Sequence, residues 1–394
     1  MKLNKLILPV TMLFALTGCS GAEPVAEGGG VPSGGKEVTD KEEAEKDLEE
    51  LVEKASGSLN ENDAFGFTLT NKGTTVTAHA DLFDFNASVG ECTLTGGAEG
   101  LVTGTKATTK AGLNFSGTKL TYKVDATPAE AEEVHIDKNY DIGAINTYFD
   151  NGSIYVDASE TGLAGLIKGV LTDATPTIEM FAEQYLGPEM AGTVATMLTT
   201  LTSSEAAVTA FIGGTFFNKA LGFNYKMSFE NIVSEEDYPL VKIDAQVEDA
   251  SATVAEIKAG FEETTGLAWD DVMSVYTYAS GGKAIQFELD KDAIISMIYP
   301  EQVVSYGLAF DDASVKIGVY FNEKGVPTSA SFKEVISGSA SGDMFVNAMG
   351  SALTFNSSSE INLTLSAGSN PVTFPENYND YNAFSMSGIS SLLA

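Results

Sequence analysis

Histidine, cysteine and clustered carboxylates are the side chains of this sequence that could do chemistry. The chain has two histidines, His79 and His135, and two cysteines, Cys19 and Cys92. Zinc hydrolases and nucleophilic enzymes need histidine at fixed spacings, such as HExxH, or beside a nucleophile. Here His79 lies in the strand-like run TVTAHADLF and His135 in EEVHIDKN, and neither has such a spacing. The sequence therefore predicts no enzymatic activity and no catalytic residue.

Acidic groups and one serine-rich loop are weaker candidates for a site. Acidic residues at 235–237, 270–271 and 311–312 could bind calcium, but none forms the alternating Asp-x-Asp-x-Asp-Gly loop. The segment SGSASG at 337–342 has Ala340 where a nucleophile elbow needs serine. We predict no metal ligands and no cofactor.

Cys19 is the cysteine with a definite predicted role. Lys2 and Lys5 precede a short apolar run at residues 6–16, which is the pattern of a secretory signal. The following Leu-Thr-Gly-Cys at residues 16–19 resembles the bacterial lipobox. The resemblance implies cleavage before Cys19, which as the new N-terminus would carry two or three acyl chains, and two acyl chains suffice for stable anchoring. A plain signal peptide that happens to contain a cysteine is the alternative.

The residues after Cys19 fit a tether. Residues 20–38 are rich in Gly, Ser, Pro and Glu, which cannot build a core, so we predict a signal peptide at 1–18 and a lipidated, flexible segment at 19–38. With Cys19 acylated, Cys92 has no disulfide partner and is predicted to be a half-buried strand residue. The domain would face outside the cytoplasm in the bacterial cell envelope.

Charge restricts the partners. The formal net charge is −33, and all 22 basic residues are lysine. Such a chain repels nucleic acid and has no guanidinium for bidentate binding of phosphate or carboxylate. We expect a monomer whose membrane contact is its N-terminal lipid, with no nucleic-acid partner.

The first predicted element is an amphipathic helix from Thr39 to Gly57. Thr39 and Glu42 form a capping box, and Gly57 supplies the stop. One helical stripe is apolar, and its members are Ala44, Leu48, Leu51, Val52 and Ala55.

From about residue 64 the apolar period becomes two, which predicts an antiparallel meander. Turns are expected at Asn71–Gly73 and at Ser116-Gly117. The segment INTYFDNGSIYVDAS predicts a hairpin, because Asp150–Gly152 suits a tight primed turn.

Residues 160–217 are apolar, poor in charge and predicted to be helical. They are interpreted either as ordinary cover for the sheet or as the wall of a lipid cavity, since flexible thioethers suit variable acyl chains. The candidate ligand-cavity residues are Leu163, Leu166, Ile167, Val170, Phe181, Met190, Met197 and Leu201.

Strands return after residue 217. Strands are expected in ALGFNYKMSFENIV and YPLVKIDAQVED, and a helix in ATVAEIKAGFEETTGLAWDDVMSVY. Next, GKAIQFELDKDAIISMI reads as a strand followed by a helix capped by Asp290 or Asp292. A hairpin turning at Asn322–Gly325 and a strand in EINLTLSA complete the pattern.

This order resembles the LolA-like carrier superfamily, which includes LppX-type lipoproteins. The resemblance rests on TYFDNGSIYVDAS, GKAIQFELDKDAIISMI, VYFNEKGVPTSASF and NPVTFPENYNDY. It implies an α+β fold with a large curved antiparallel sheet (a half-barrel) whose concave face is covered by helices. The predicted domain spans residues 39–384, either as one unit or as two related halves that meet near residue 217, followed by a tail at 385–394.

Two functions are consistent with this sequence. The first is binding of a lipid or another hydrophobic ligand in an apolar half-barrel cavity. The alternative is a non-catalytic surface module that binds a protein or an envelope polymer through an exposed apolar or aromatic patch.

Overall fold

The computed structural model describes residues 31–58, 63–117, 119–127, 133–157, 165, 167–172, 175, 178, 182, 187–205, 207–208, 224–228, 235–239, 249–298 and 300–383. Sixteen described strands form one sheet. They are β1 (Lys36–Glu37), β2 (Ala64–Ala80), β3 (Phe83–Val89), β4 (Cys92–Glu99), β5 (Lys110–Ser116), β6 (Lys119–Ala126), β7 (Val134–Asp141), β8 (Ile145–Asp150), β9 (Ser153–Asp157), β10 (Asn224–Ser228), β11 (Met273–Thr277), β12 (Lys283–Leu289), β13 (Leu308–Phe321), β14 (Pro327–Ala340), β15 (Leu353–Ala367) and β16 (Asn382–Ala383).

The strand order is β1-β11-β12-β13-β14-β15-β2-β4-β5-β8-β9-β10-β16, with β3, β6 and β7 branching from β2. Every described pairing is antiparallel except that of β10 with β16. Strands from both sides of residue 217 therefore lie in one sheet, because β2 pairs with β15 along most of its length. The domain limits at 39 and 384 and the unit boundary near 217 stay predictions.

Seven helices whose bounds lie within the described residues accompany the sheet. They are α1 (Lys41–Ser58), α2 (Pro188–Thr202), α3 (Ala250–Thr265), α4 (Trp269–Val272), α5 (Lys291–Ser296), α6 (Pro300–Tyr306) and α7 (Asp343–Met349). The α+β class with a large curved antiparallel sheet is confirmed. In the described ranges, no helix combines the length and the apolar character needed to cross a membrane.

The largest core lies between three helices and one face of β12–β14. Helix α1 contributes Leu48, Leu51 and Val52, as its apolar stripe predicts. Helix α3 contributes Val254 and Phe261, α4 contributes Trp269 and Val272, and the strands contribute Ile285, Leu289, Val319, Phe321 and Ala330. The ring of Trp269 packs edge-on against those of Phe261 and Phe287, at 5.5 and 5.0 Å between centroids. Burial of this apolar area fixes the helices on the sheet.

An ion-pair network also holds α1 on the sheet. Lys283 Nζ on β12 lies 2.8 Å from Asp47 Oδ1 and 2.5 Å from Glu50 Oε2. The hydrogen bonds from Lys283 and Lys54 lower the pKa of Glu50 to about 2. These ion pairs, together with the buried apolar contacts, fix the position of α1 over the start of β12.

Helix ends follow the predicted chemistry with corrections at both ends of α1. Gly57, predicted as the stop, lies inside the helix, which runs to Ser58. Asp290 caps α5, since its Oδ1 accepts from Ala293 N at 2.9 Å. The predicted capping box of Thr39 and Glu42 is wrong. Asp40 takes that place, accepting from Glu42 N at 2.9 Å and from Glu43 N at 3.3 Å. A carboxylate is a stronger acceptor than a hydroxyl, and it begins the helix one residue later.

A crease crosses four neighbouring strand lines. β3 continues into β4, β5 into β6 and β7 into β8, so each pair forms one long interrupted strand line. The three lines follow one another across the sheet from β2. The interruptions lie at Gly73, Gly90, Gly117 and Gly143, and three of these glycines have positive φ (132°, 35° and 66° for Gly73, Gly117 and Gly143). Gly90 N donates to Lys119 O at 2.8 Å and Gly117 N donates to Gly143 O at 2.9 Å, so hydrogen bonding continues across the crease.

The crease corrects two predicted turns. Asn71–Gly73 is a β-bulge inside the 17-residue strand β2, since Asn71 pairs with Ile361 and Gly73 with Glu360 while Lys72 is the extra residue. Ser116-Gly117 does not reverse the chain either, because β5 pairs with β4 and β8 whereas β6 pairs with β3 and β7. The hairpin at Asp150–Gly152 is confirmed, with φ of 46° at Asn151 and 69° at Gly152, as is the turn at Asn322–Gly325.

Two further segments pack against the sheet. Residues 31–38, the end of the predicted tether, run beside β11–β13: Tyr278 Oη donates to Pro32 O at 3.0 Å and Val38 N donates to Val275 O at 2.8 Å. Residues 369–381, the C-terminal strap, cross β2, β4 and β5 where Gly66, Gly97 and Gly112 are in register. A Cβ on Gly66 would lie 2.0 Å from Pro371 Cδ, so glycine is required for this crossing.

Candidate functional site

The most unusual surface of the described molecule is an apolar sheet face beyond the crease. It is formed by the second half of β2 with β3, β6 and β7 on one side and β14–β15 on the other. We call it the apolar wing face, and its residues are Val76, Ala78, Phe85, Ala87, Val89, Leu120, Tyr122, Val124, Ile136, Tyr140, Ile336 and Phe355. Each of them is half-buried or exposed, and none is fully buried.

Strand pairing explains why these side chains meet. Phe355, Ala78, Phe85, Val124 and Ile136 are cross-strand partners in one row, on the strands β15, β2, β3, β6 and β7. Side chains alternate between faces along a strand, so the intervening residues point to the opposite side. Those intervening residues are Asn86, Lys123 and Asp137, which are exposed.

The wing face is broad enough for an extended ligand. From β14 to β7 it covers six strands, which corresponds to ~24 Å at the usual strand spacing. Phe310 and Phe355 meet edge-on over Gly338, with ring centroids 5.8 Å apart. A continuous apolar surface of this kind is rare on a protein that keeps it exposed to water.

A helical segment borders the face at β7. Residues 167–172 are helical, and a Cβ on Gly169 would lie 2.1 Å from Tyr140 Oη, so the helix backbone touches this phenol. Tyr140 Oη is buried and makes no hydrogen bond among the described residues. A buried hydroxyl without a partner is costly and marks a place where a further polar group would be favourable.

One polar group interrupts the apolar surface beside the crease. Glu334 on β14, Ser359 on β15 and Thr74 on β2 are neighbours in one row, and the next row contributes Ser357. Ser357 Oγ donates to Glu334 Oε1 at 2.7 Å, and the hydroxyls of Thr74 and Ser359 lie 2.9 Å apart. We call these four residues the polar row.

The predicted ligand-cavity residues are only partly within the described structure. Leu163, Leu166 and Phe181 lie outside the described residues. Ile167 is half-buried beside the wing, whereas Leu201 on α2 is buried at 7% exposure. Val170, Met190 and Met197 are about half exposed, at 52%, 52% and 47%. The buried side of α2 is carried by Ala191, Leu198 and Leu201, so its two methionines lie off the packed stripe.

A separate pocket of about 240 Å³ lies between α1, α3 and β11. Its floor contains Leu48 and Trp269, and its rim contains Lys41, Lys258 and Asp270. Lys258 Nζ lies 3.0 Å from Asp270 Oδ1, and this hydrogen bond raises the pKa of Lys258 and lowers that of Asp270. None of the predicted cavity residues lines this pocket, and its cations are already paired with Asp270.

The histidines are on the outer, polar face of the wing. His79 Nδ1 lies 2.6 Å from Asp84 Oδ1, and His135 Nδ1 bonds Asp125 Oδ1. The four residues are consecutive cross-strand partners on β2, β3, β6 and β7, and both histidines are exposed. Across the described ranges, no three His, Cys, Asp or Glu side chains gather as a metal site would require. Cys92 is a half-buried free thiol.

Comparison with known proteins adds little to this geometry. No family model and no curated protein matches the chain. Among solved structures, the crystal structure of Pseudomonas aeruginosa OccK7 (OpdD) aligns with 77% of this chain and 98% of its own, at 7% identity and a TM-score of 0.18. A TM-score this low supports no conclusion about fold or function.

Sequence reasoning missed the wing face, although a signal was present. In each long strand, the apolar residues change between odd and even residue numbers (their parity) at the crease. In β2, for example, Phe65, Phe67 and Leu69 are odd, whereas Val76 and Ala78 are even. β5 and β6 show the same change between Phe115 and Leu120. Since parity decides the face, a change of parity at a glycine indicates a bulge within one strand and not a turn between two.

Proposed function

We propose that this chain is a membrane-anchored lipoprotein of the bacterial cell envelope that binds a lipid or another hydrophobic ligand on the apolar wing face. Its N-terminal anchor would be the acylated Cys19, and it would act without catalysis. The observation that carries the ligand-binding part is the incomplete burial of a contiguous apolar sheet face some six strands wide, none of whose twelve residues is fully buried. Acyl chains laid on this surface would remove it from water, at roughly 25 cal/mol per Å².

The closed core next to the wing strengthens this interpretation. In the same sheet, α1, α3 and α4 bury Ile285, Leu289, Val319, Phe321 and Ala330 on the face of β12–β14. The wing face carries residues of similar hydrophobicity without comparable burial. The difference is explained if the wing is covered by a bound molecule during function.

The test is ligand capture by the full chain carrying Cys19→Ser, purified from a bacterial host without detergent. Native mass spectrometry and organic extraction should detect a stoichiometric lipid. The double variant Phe85→Gln with Val124→Gln should lose it. The matched control is Asn86→Gln with Lys123→Gln, which places the same residue at adjacent positions on the opposite face. Equal lipid content in both variants, or no lipid uptake by the wild type, would refute the proposal.

A second candidate function is docking to a protein or an envelope polymer. It is favoured by an exposed apolar tip formed by α6 and α7, where Val304 is 80% and Met344 57% exposed. Tyr306 and Phe345 hold the two helices together with ring centroids 6.0 Å apart. If docking is the function, Val304→Ser with Met344→Ser should abolish binding to envelope fractions while lipid content stays unchanged.

A further inference from the structure

The polar row lies at the boundary between the closed core and the apolar wing face. It belongs to a line of cross-strand partners that crosses eight strands. In order from β12 to β7 these partners are Leu289, Val315, Glu334, Ser359, Thr74, Val89, Leu120 and Tyr140. Leu289 and Val315 belong to the core side, whereas Val89 and Leu120 belong to the wing. A ligand lying on the wing would therefore bring its polar end to Glu334 if it extends to the crease.

Glu334 is poorly compensated for a half-buried carboxylate. Ser357 donates one hydrogen bond to its Oε1, and in the described part of the chain no lysine forms an ion pair with it. Its strand neighbour Lys333 points to the opposite face, and Lys316, the partner of Lys333, pairs there with Glu288 at 2.6 Å. A carboxylate at the edge of an apolar surface is stabilised by donors, since it can only accept hydrogen bonds while ionised.

Resting on the function proposed above, we infer that the ligand is an amphiphile whose polar end donates hydrogen bonds, as an ammonium group or as hydroxyl groups do. Glu334 accepts from that polar end, and the hydroxyls of Thr74 and Ser359 supply the adjacent contacts. An anionic head group at this position would face a carboxylate, and the chain contains no arginine to offset the repulsion.

Lys138, a described lysine on the same side of the sheet as the wing face, gives the opposing outcome a definite location. Lys138 on β7 is opposite Tyr122 in the row next to the polar row. It is separated from Glu334 by the strands β15, β2, β3 and β6, which places the two side chains ~24 Å apart. Recognition of an anionic head group would therefore depend on Lys138 and not on Glu334.

The experiment compares three amphiphiles of equal chain length: an alkylammonium, a monoacylglycerol and a fatty acid. Each displaces a fluorescent hydrophobic dye from the full chain carrying Cys19→Ser. The ammonium and the glyceride should bind at least about tenfold more tightly than the fatty acid, as one charge-assisted hydrogen bond can supply. A preference for ammonium over glyceride would identify the donor as a cation, and equal affinity would identify hydroxyl recognition.

Variants assign the preference to the polar row. Glu334→Gln should reduce the preference about tenfold. The control Glu360→Gln, on the adjacent strand but on the opposite face, should leave it unchanged. If Glu334→Gln does not fold, two other measurements test the inference. They are the preference of the Ser357→Ala variant and the ranking of the three amphiphiles by the affinity of the wild type.

The outcomes that overturn the inference are distinct from those that overturn the function. Tightest binding of the fatty acid, or an unchanged preference in the folded Glu334→Gln variant, would refute donor recognition while leaving lipid binding in place. A loss of fatty-acid binding in Lys138→Gln would place an anionic head group at β7. Failure of all three amphiphiles to bind would refute both proposals.

Discussion

Tyr378 and Tyr381 attach the C-terminal strap to carboxylates of the β8–β9 hairpin. Tyr378 Oη donates to Asp150 Oδ2 at 2.5 Å, and Tyr381 Oη donates to Asp157 Oδ2 at 3.3 Å. The hydrogen bond to Asp150, with burial as a second cause, raises the pKa of Tyr378 to about 12. Burial, and the charge of Asp157, also raise the pKa of Tyr381. These phenols must stay protonated for the strap to remain attached.

The first prediction is a loss of stability in alkali that depends on Tyr378. The unfolded phenol ionises near pH 10, so its contribution is fully present below about pH 10 and is lost as the pH rises toward 12. Urea unfolding at about pH 9 and about pH 11 should show a smaller decrease in unfolding free energy for Tyr378→Phe than for the wild type. Tyr306→Phe, an exposed tyrosine on α6, is the control. Equal decreases in all three proteins would contradict the assignment.

At the scale of elements, α1 and the strap are attached by different means. Helix α1 is held by buried apolar side chains and by the Lys283 network. The strap depends on the aligned glycines of β2, β4 and β5, which leave a groove for Asn370, Pro371 and Val372. A substitution that creates a cavity in the core should therefore loosen α1. A substitution that fills the glycine groove should loosen the strap.

The second prediction concerns α1. Leu48→Ala should lower the unfolding free energy by about 2–5 kcal/mol, because the lost methyl groups leave a cavity between α1, α3 and the sheet. Lys46→Ala on the exposed side of the same helix should change it by less than about 0.5 kcal/mol. Chemical denaturation followed by circular dichroism measures both. A loss below about 1 kcal/mol for Leu48→Ala would show that α1 is peripheral to the cooperative core.

The third prediction concerns the strap. In Gly112→Val the new Cβ would approach Val372 Cγ1 to 2.3 Å, so residues 369–381 should detach. We expect faster proteolysis in this segment and a loss of about 1–3 kcal/mol in unfolding free energy. Leu113→Val, on the same strand and opposite face, should leave cleavage unchanged. Protection equal to the wild type would mean that the strap does not depend on the groove.

The elements that could be predicted from the sequence are those whose signals are local. The stripe of α1, the Asp150–Gly152 hairpin and the cap at Asp290 each depend on residues that are close together in the chain. The strap and the crease depend on glycines that meet only after distant strands pair, as Gly66, Gly97 and Gly112 do. For the same reason the helical residues chosen as a cavity wall, such as Met190 and Met197, could not be oriented before the packed side of α2 was known. Burial of Leu201 and exposure of these methionines follow from tertiary packing, not from period alone.

At the scale of the whole molecule, one sheet supports two surfaces of different character. The helices α1, α3 and α4 close one part, whereas the described wing residues beyond the crease are half-buried, with Val76 exposed. Residues 31–38 lie beside β11–β13, with Lys36–Glu37 paired to β11. If Cys19 is acylated, these contacts hold the end of the predicted tether 19–38 against the sheet.

The fourth prediction tests the anchor. In a detergent phase-separation assay of cells expressing the full chain, the wild type should partition into the detergent phase and Cys19→Ser into the aqueous phase. Cys92→Ser, which removes the half-buried strand thiol, is the matched control and should behave as the wild type. Aqueous partitioning of the wild type would refute the lipidated anchor and leave the wing face to be tested as a property of an unanchored protein.

The crease has a consequence for how the chain tolerates length changes. Lys72 is the extra residue that moves the apolar positions of β2 from odd to even, and the neighbouring strand lines change parity at the same line. Deletion of Lys72 would remove the bulge and bring Asn71 and Gly73 into consecutive positions opposite Ile361 and Glu360, so Val76 and Ala78 would stay on the wing face. Deletion of a regularly paired residue such as Thr75 would instead turn Val76 and Ala78 to the opposite face. Viable single-residue length variants of β2 should therefore concentrate at the bulge and be rare within residues 74–80.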